Sequence, residues 1–189
     1  MQGPKLAGGG HQLVAKREVA QSAVLVPVPE AEALVGSWRA AHDPKARTGV
    51  PAHITLVVPW LPPDEIGKDS LDQLDLLVAG EPAFDYTLER VCWFGVRVLW
   101  LAPTPDEPFK RLTSLLASHF GTPPWAGEFE VVPHLTVGLA DDVPPSALSA
   151  AADDISAKLP LACRAREVDV MCGDGTSWGV VHRATLGER

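Results

Sequence analysis

The sequence predicts a mixed fold of strands and helices built from two related halves, and three observations carry that prediction. Short apolar strand runs alternate with amphipathic helical patterns along the chain. The order of strand, prolines, acidic helix start and a His-x-Thr strand recurs in the second half. The composition, 46% hydrophobic and 21% charged over 189 residues, is that of a folded domain. A chain of this length buries roughly 70% of the surface its unfolded form exposes, enough for a core without disulfide staples. The 18 prolines exceed the usual share of about 5% and predict many short elements joined by rigid turns.

Residues 1 to about 20 are rich in Gly and polar side chains and read as a loose tail, with Val14–Ala20 extended toward the first strand. Ala23–Val28 is a short buried-strand run. Pro29 then suits a helix start, and Ala31, Leu34, Val35 and Trp38 follow at helical spacing. After the turn-rich stretch Asp43–Ala52 comes a second strand, HITLVVPW. Asp69–Ser70 caps a helix through about Val78, with Leu71, Leu74 and Leu77 on one face. Strands are expected around Phe84–Cys92 and Val96–Leu101.

The second half echoes the first. VLVPVPEAEAL at Val24–Leu34 is matched by VLWLAPTPDEPFKRL at Val98–Leu112, and HITLVVP at His53 by HLTVGLA at His134. Each motif is followed by a Pro-Pro pair, Pro62–Pro63 and Pro144–Pro145, and then by a helical pattern, the second being SALSAAADDISAKL. A strand over Leu161–Met171 and a last one from Ser177 to about Thr185 complete the chain. Agreement in order at several points outweighs any single match. Two lobes of roughly 21–95 and 96–189 are expected within one domain, with strands free to exchange between them.

Charge and cysteine content narrow the function classes. The net charge is −8, whereas a protein holding a nucleic-acid duplex through its phosphates needs a positive field. A small anionic ligand in a local pocket is compatible with that charge; duplex DNA as partner is not expected. Three cysteines, Cys92, Cys163 and Cys172, lack metal-ligand spacing and read as reduced thiols of a cytoplasmic protein. No apolar stretch suits a signal peptide or a membrane span, and a monomer is expected.

The informative feature is the pair His53-Ile54-Thr55-Leu56 and His134-Leu135-Thr136-Val137. On a strand, residues i and i+2 face the same way, so each strand shows an imidazole and a hydroxyl to one side and fills the core from the other. A pseudo-twofold between the halves would bring the two His-Thr faces together across one cleft. In-line displacement at phosphorus needs a proton taken on one side and given on the other, which histidine does near neutral pH. The hydroxyls of Thr55 and Thr136 suit the non-bridging oxygens. A lone strand histidine is usually structural; two copies in a repeated context are not explained that way. Two histidines without a third ligand at suitable spacing make a poor zinc set, so no metal or cofactor is expected.

GVPAHITLVVPW and VVPHLTVG, with VLWLAPTPDEPFKRLTSLLASHF between them, resemble the 2H phosphoesterase superfamily. The likeness is particularly to the bacterial proteins called 2′-5′ RNA ligases or RNA 2′,3′-cyclic phosphodiesterases, and it covers roughly Ala23 to Leu186. The resemblance implies a two-lobed α+β fold, each lobe an antiparallel sheet with helices on its outer face and the active cleft between. It also implies metal-independent opening of 2′,3′-cyclic phosphates on nucleotides or RNA ends, with His53, Thr55, His134 and Thr136 as the matched catalytic positions. Ligation of 2′-5′ ends, hydrolysis of another cyclic phosphate such as an ADP-ribose derivative, and nucleotide sensing without turnover are the alternatives. Relatives often carry a basic residue soon after the second motif, where this chain reads Gly138-Leu139-Ala140-Asp141-Asp142.

Further substrate-binding candidates are weaker. Lys45 and Arg47 precede the first motif and either reach a phosphate or sit solvated in a loop. Trp125 either stacks on a base or anchors its loop. Gly138 is expected on the face of His134 and Thr136, leaving room for a ligand.

Overall fold

Ala23 to Val26 run without a polar break, and the chain there forms strand β1 (Gln21–Pro27), buried on both faces. The structure is a computed structural model that describes residues 21–122, 131–140 and 145–188. The tail expected over residues 1–20 and Trp125 lie outside the described residues. From β1 the chain passes through a turn of 3-10 helix (Pro29–Ala31) into helix α1 (Glu32–His42), a short turn α2 (Pro44–Arg47) and strand β2 (His53–Val57). Helix α3 (Lys68–Ala79) begins a residue before Asp69, because Gly67 caps it. The Ser70 Oγ accepts from the Gly67 N–H at 3.0 Å.

Strands β3 (Phe84–Phe94) and β4 (Val98–Thr104) form a hairpin, followed by helix α4 (Glu107–Phe120). In α4, Phe109, Leu112, Thr113 and Leu116 recur at three- and four-residue spacing and form its buried face. Gly121 ends the helix at φ 68°, a left-handed conformation that glycine adopts without strain. Strand β5 (Leu135–Leu139), helix α5 (Pro145–Ser156) and strands β6 (Leu161–Ala165), β7 (Glu167–Gly173) and β8 (Trp178–Thr185) follow.

The strands make two four-stranded sheets, ordered β2-β1-β7-β8 and β5-β4-β3-β6. Every neighbouring pair is antiparallel. The expected single strand over Leu161–Met171 is corrected: it is two strands in different sheets, β6 on β3 and β7 on β1. The break falls at Arg166, whose carbonyl accepts from the Leu186 N–H at 2.9 Å. The alternation of apolar side chains reads alike on both sides of that break, so only the change of backbone partner marks it.

Neither sheet is drawn from one half of the chain. Strand β3 joins β4, β5 and β6, while β7 and β8 return to β1 and β2. The helices cross over as well. Helix α1, which precedes β2, packs against β5 of the other sheet, and α4, which precedes β5, packs against β2; α3 lies on β8 and α5 on β3. One core cluster runs beneath both sheets, from Val24, Val26, Ile54 and Leu56 to Leu99, Leu101, Leu135 and Leu148. A smaller cluster of Leu25, Val50 and Met171 with Trp178 lies on the first sheet's opposite face.

Candidate active site

Strands β2 and β5 are the edge strands of their sheets and lie against each other. Both motifs therefore meet where the two sheets meet. Ile54 and Leu56 are 0% and 1% exposed, as are Leu135 and Val137 at 0%, while His53, Thr55, His134 and Thr136 keep partial access to solvent. Burying each of these aliphatic side chains contributes about 1.5–3 kcal/mol. A one-residue slip would exchange them for His and Thr, so the core itself fixes which way the motif faces.

A matched irregularity follows each threonine. In β2, Thr55 pairs with Leu25 and Val57 with Val24, which leaves Leu56 without an opposite residue. In β5, Thr136 pairs with Trp100 and Gly138 with Leu99, which leaves Val137 so. Each is a β-bulge, a feature that re-aims side chains and recurs beside active sites. The bulge corrects the expectation for Gly138. Instead of facing outward with Thr136, Gly138 turns toward the core, as Val57 does. A Cβ on it would lie 2.8 Å from the His42 Cβ and 2.7 Å from the Leu148 Cδ2. Its small size admits helices α1 and α5 rather than a ligand.

The two histidines are held in one way. The Nδ1 of His53 lies 2.7 Å from the Pro51 carbonyl oxygen, and the Nδ1 of His134 lies 2.6 Å from that of Val132. A carbonyl only accepts, so Nδ1 carries the hydrogen and Nε2 of the neutral ring is the free base. Among the described residues, none hydrogen-bonds either Nε2 or the hydroxyls of Thr55 and Thr136. Both rings are recessed among protein atoms yet still touch solvent. Burial lowers the His53 pKa to about 4, with further lowering by Arg39 and by His134 itself, against the Pro51 hydrogen bond and Asp43, which raise it. Burial also lowers His134, opposed by its bond to Val132. The contact between β2 and β5 brings the two His-x-Thr motifs to one junction.

Aromatic side chains wall His134. Phe94 stacks on Trp100 with ring centroids 4.6 Å apart, and both meet the His134 ring edge-on, at 5.0 and 5.7 Å. Phe94 remains 37% exposed. Neither ring was legible as a site residue, because both sit in apolar strand runs and reach His134 only through strand pairing. Arg39 was also missed. It is 2% exposed in α1, its NH2 group donating to Asp43 Oδ2 at 2.8 Å and its Nε to the Thr136 carbonyl at 3.2 Å. An arginine on the apolar side of a helix, four residues before an aspartate, was the available signal.

The remaining candidates are placed elsewhere. Arg47 is exposed on α2 and donates to the Ala41 carbonyl at 3.3 Å, and Lys45 sits over the Trp178 ring at 5.4 Å. Neither of these contacts reaches the histidines. Among the described residues, no group of three or more His, Cys, Asp or Glu is arranged to hold a metal ion, and no helix is long and apolar enough to cross a membrane.

Two antiparallel sheets with helices outside and a duplicated His-x-Thr at their junction define the class, and comparison with known proteins agrees. A profile of the 2′-5′ RNA ligase superfamily matches residues 27–176, and the chain belongs to that superfamily. Its fold is similar to that of LigT from E. coli. With the structure of LigT complexed with NADP+ it shares 21% identity at a TM-score of 0.55, over 90% of this chain and 100% of that one. With LigT complexed with 3′-AMP the values are 21% and 0.53, over 89% and 99%. With the ATP complex they are 22% and 0.50, over 89% and 98%. No curated protein matches the chain.

Proposed function

We propose that the protein is a phosphoesterase that opens 2′,3′-cyclic phosphates of nucleotides or RNA ends by two-histidine acid–base catalysis. The observation that carries this reading is the pair of imidazoles on the two His-x-Thr strands, each locked through Nδ1 onto the carbonyl two residues upstream and each with an Nε2 that takes no hydrogen bond among the described residues. His53, with the deeper depression of its pKa, is the base. It takes a proton from water through Nε2 while the water oxygen bonds to phosphorus. The bond from phosphorus to one ribose oxygen breaks, and protonated His134 gives its Nε2 proton to that oxygen. Water and cyclic diester become a monoester, and the two imidazoles exchange protonation states until solvent restores them.

Thr55 and Thr136 donate to the non-bridging oxygens, where charge rises in the transition state. The exposed face of Phe94 supports the base, since aromatic rings stack on any nucleobase. The small nucleotides held by LigT, a protein of the same fold, support a ligand of that size. The superfamily to which the chain belongs also favours a second reading, 2′-5′ ligation. Attack by a ribose hydroxyl in place of water needs the same proton transfers.

The test is hydrolysis of the four 2′,3′-cyclic nucleotides in EDTA with product isomers resolved, beside His53→Ala and His134→Ala. A single isomer is expected, with turnover reduced roughly 10²–10⁴-fold in each variant. Turnover that survives either substitution, or that EDTA abolishes, rules the mechanism out.

A further inference from the structure

Two edge strands from different sheets have to be held at a fixed offset if their side chains are to act on one phosphate. Hydrogen bonding within each sheet cannot do this, because β2 and β5 each end their own sheet. The link comes from α1. The Arg39 guanidinium donates to the Thr136 carbonyl of β5 at 3.2 Å and to the Val50 carbonyl, three residues before His53, at 3.3 Å. Asp43 neutralises it at 2.8 Å and also accepts from the Lys45 N–H at 2.9 Å, so the turn that leads to β2 is bound to the same centre. From the same helix, Glu32 Oε1 accepts from the Ala52 N–H at 2.5 Å, next to His53.

A buried arginine needs a strong reason to be there. Removing a charge from water costs several kcal/mol, and replacing a buried ion pair by apolar side chains is often neutral or stabilising. Core packing alone would be served by a methionine. What a methionine lacks is directed donors to two carbonyls on two separate elements, and the planar guanidinium has five in fixed geometry.

We infer that Arg39 is a positioning residue that sets the offset between the two His-x-Thr strands and holds the site in its working geometry through the carbonyls of Thr136 and Val50. It acts through Thr136 and His53 and touches no substrate. The same arrangement tunes His53. Its charged neighbours are Arg39 from α1, Asp43 from the α1–α2 junction and His134 from the segment before β5, with Glu32 one residue away at Ala52. Arg39 favours the neutral imidazole, and Asp43 opposes it.

The kinetic part rests on the two-histidine reading; the spectroscopic part does not. Arg39→Met, Arg39→Lys and the double variant Arg39→Met/Asp43→Asn are compared with the wild type. Asparagine retains the cap on the Lys45 N–H while removing the charge. The measurements are thermal midpoint, kcat and KM for a 2′,3′-cyclic nucleotide, and NMR titration of the His53 and His134 rings. With the offset lost by a fraction of an ångström to an ångström, kcat falls roughly 10- to 100-fold in all three variants, while KM changes less than about threefold. The His53 titration moves upward in Arg39→Met, where Asp43 is left unopposed, and by less in the double variant. The backbone amide signals of Thr136 and Val137 shift in all three. If the wild type turns over no cyclic nucleotide, the catalytic reading fails, yet the titration order and amide shifts still decide the role of Arg39. A folded double variant with wild-type kcat, an unmoved His53 titration and unmoved Thr136 signals would overturn the inference. Failure of both Arg39→Lys and the double variant to fold would also overturn it, since Arg39 would then serve folding alone.

Discussion

His53 and His134 have the same backbone tether and different electrostatic surroundings, and in the two-histidine mechanism proposed above that difference makes His53 the base and His134 the acid. A base must be unprotonated, so kcat/KM falls as pH drops through the His53 value of about 4. An acid must be protonated, so kcat/KM falls again as pH rises through the His134 value, which burial places below 6.5. The free-enzyme optimum is thus expected between those limits. Bound phosphate is negative and favours both protonated rings, so the kcat profile should lie at higher pH than that of kcat/KM. A kcat/KM optimum above pH 7 would contradict the assignment.

The same shift affects stability. The unfolded chain protonates His53 near 6.5 and the folded chain only near 4, so the unfolded state binds more protons in that window and stability is lost as pH falls through it. The loss reaches about 3 kcal/mol at most, and denaturant melts of His53→Asn should show a flatter dependence between pH 6.5 and 4. For the hydroxyls, Thr55→Val and Thr136→Val keep the shape and remove the donor. Each should lower kcat by roughly 10²-fold, as removal of other transition-state donors does, with little change in melting temperature.

At the level of elements, the bulges decide what lies inside. By admitting one unpaired residue after Thr55 and after Thr136, they put two successive apolar positions into the core, Leu56–Val57 and Val137–Gly138. At the second position the two halves diverge. Val57 packs with its own side chain, while Gly138 leaves its place to His42 and Leu148. Gly138→Ala is therefore expected to destabilise by about 1–3 kcal/mol through overpacking, read as a lowered midpoint in urea. Activity per folded molecule should change only as far as α1 is displaced. An alanine tolerated without loss of stability would mean that α1 packs less tightly on β5 than the structure shows.

Over the whole molecule, the interleaving of halves governs folding. A fragment of residues 96–189 contains β7 and β8 without β1, and β4 and β6 without the β3 that lies between them. Residues 1–95 have β1 and β2 but lack the α4 that covers β2. Neither piece can complete a sheet, so each should be unfolded alone by circular dichroism, and mixing them should restore structure. The charge of −8 acts at this scale too. Non-specific affinity for nucleic acid comes from cations that release counterions, so binding to long duplex RNA should be undetectable by gel shift at physiological salt while a cyclic mononucleotide is still turned over.

What could be read from the residues was whatever depends on local order. The alternation of His53, Ile54, Thr55 and Leu56, and its copy at His134, displayed two strands with one polar and one apolar face. The helical spacing of Ala31, Leu34, Val35 and Trp38 displayed the core face of the first helical segment. These signals are local because side-chain direction follows from backbone period within a few residues. The bulges, the split at Arg166, the exchange of α1 and α4 between sheets and the placement of Phe94, Trp100 and Arg39 around the motifs were not legible. Each depends on which distant segment satisfies a backbone hydrogen bond or fills a space, and one-dimensional periodicity does not encode that choice. The sequence by itself determined the mixed fold and the two His-x-Thr strands on which the proposed chemistry rests. Only the tertiary structure decided how those residues stand to one another, because β2 and β5 belong to different sheets and their offset is set by packing and by a buried guanidinium rather than by any strand register.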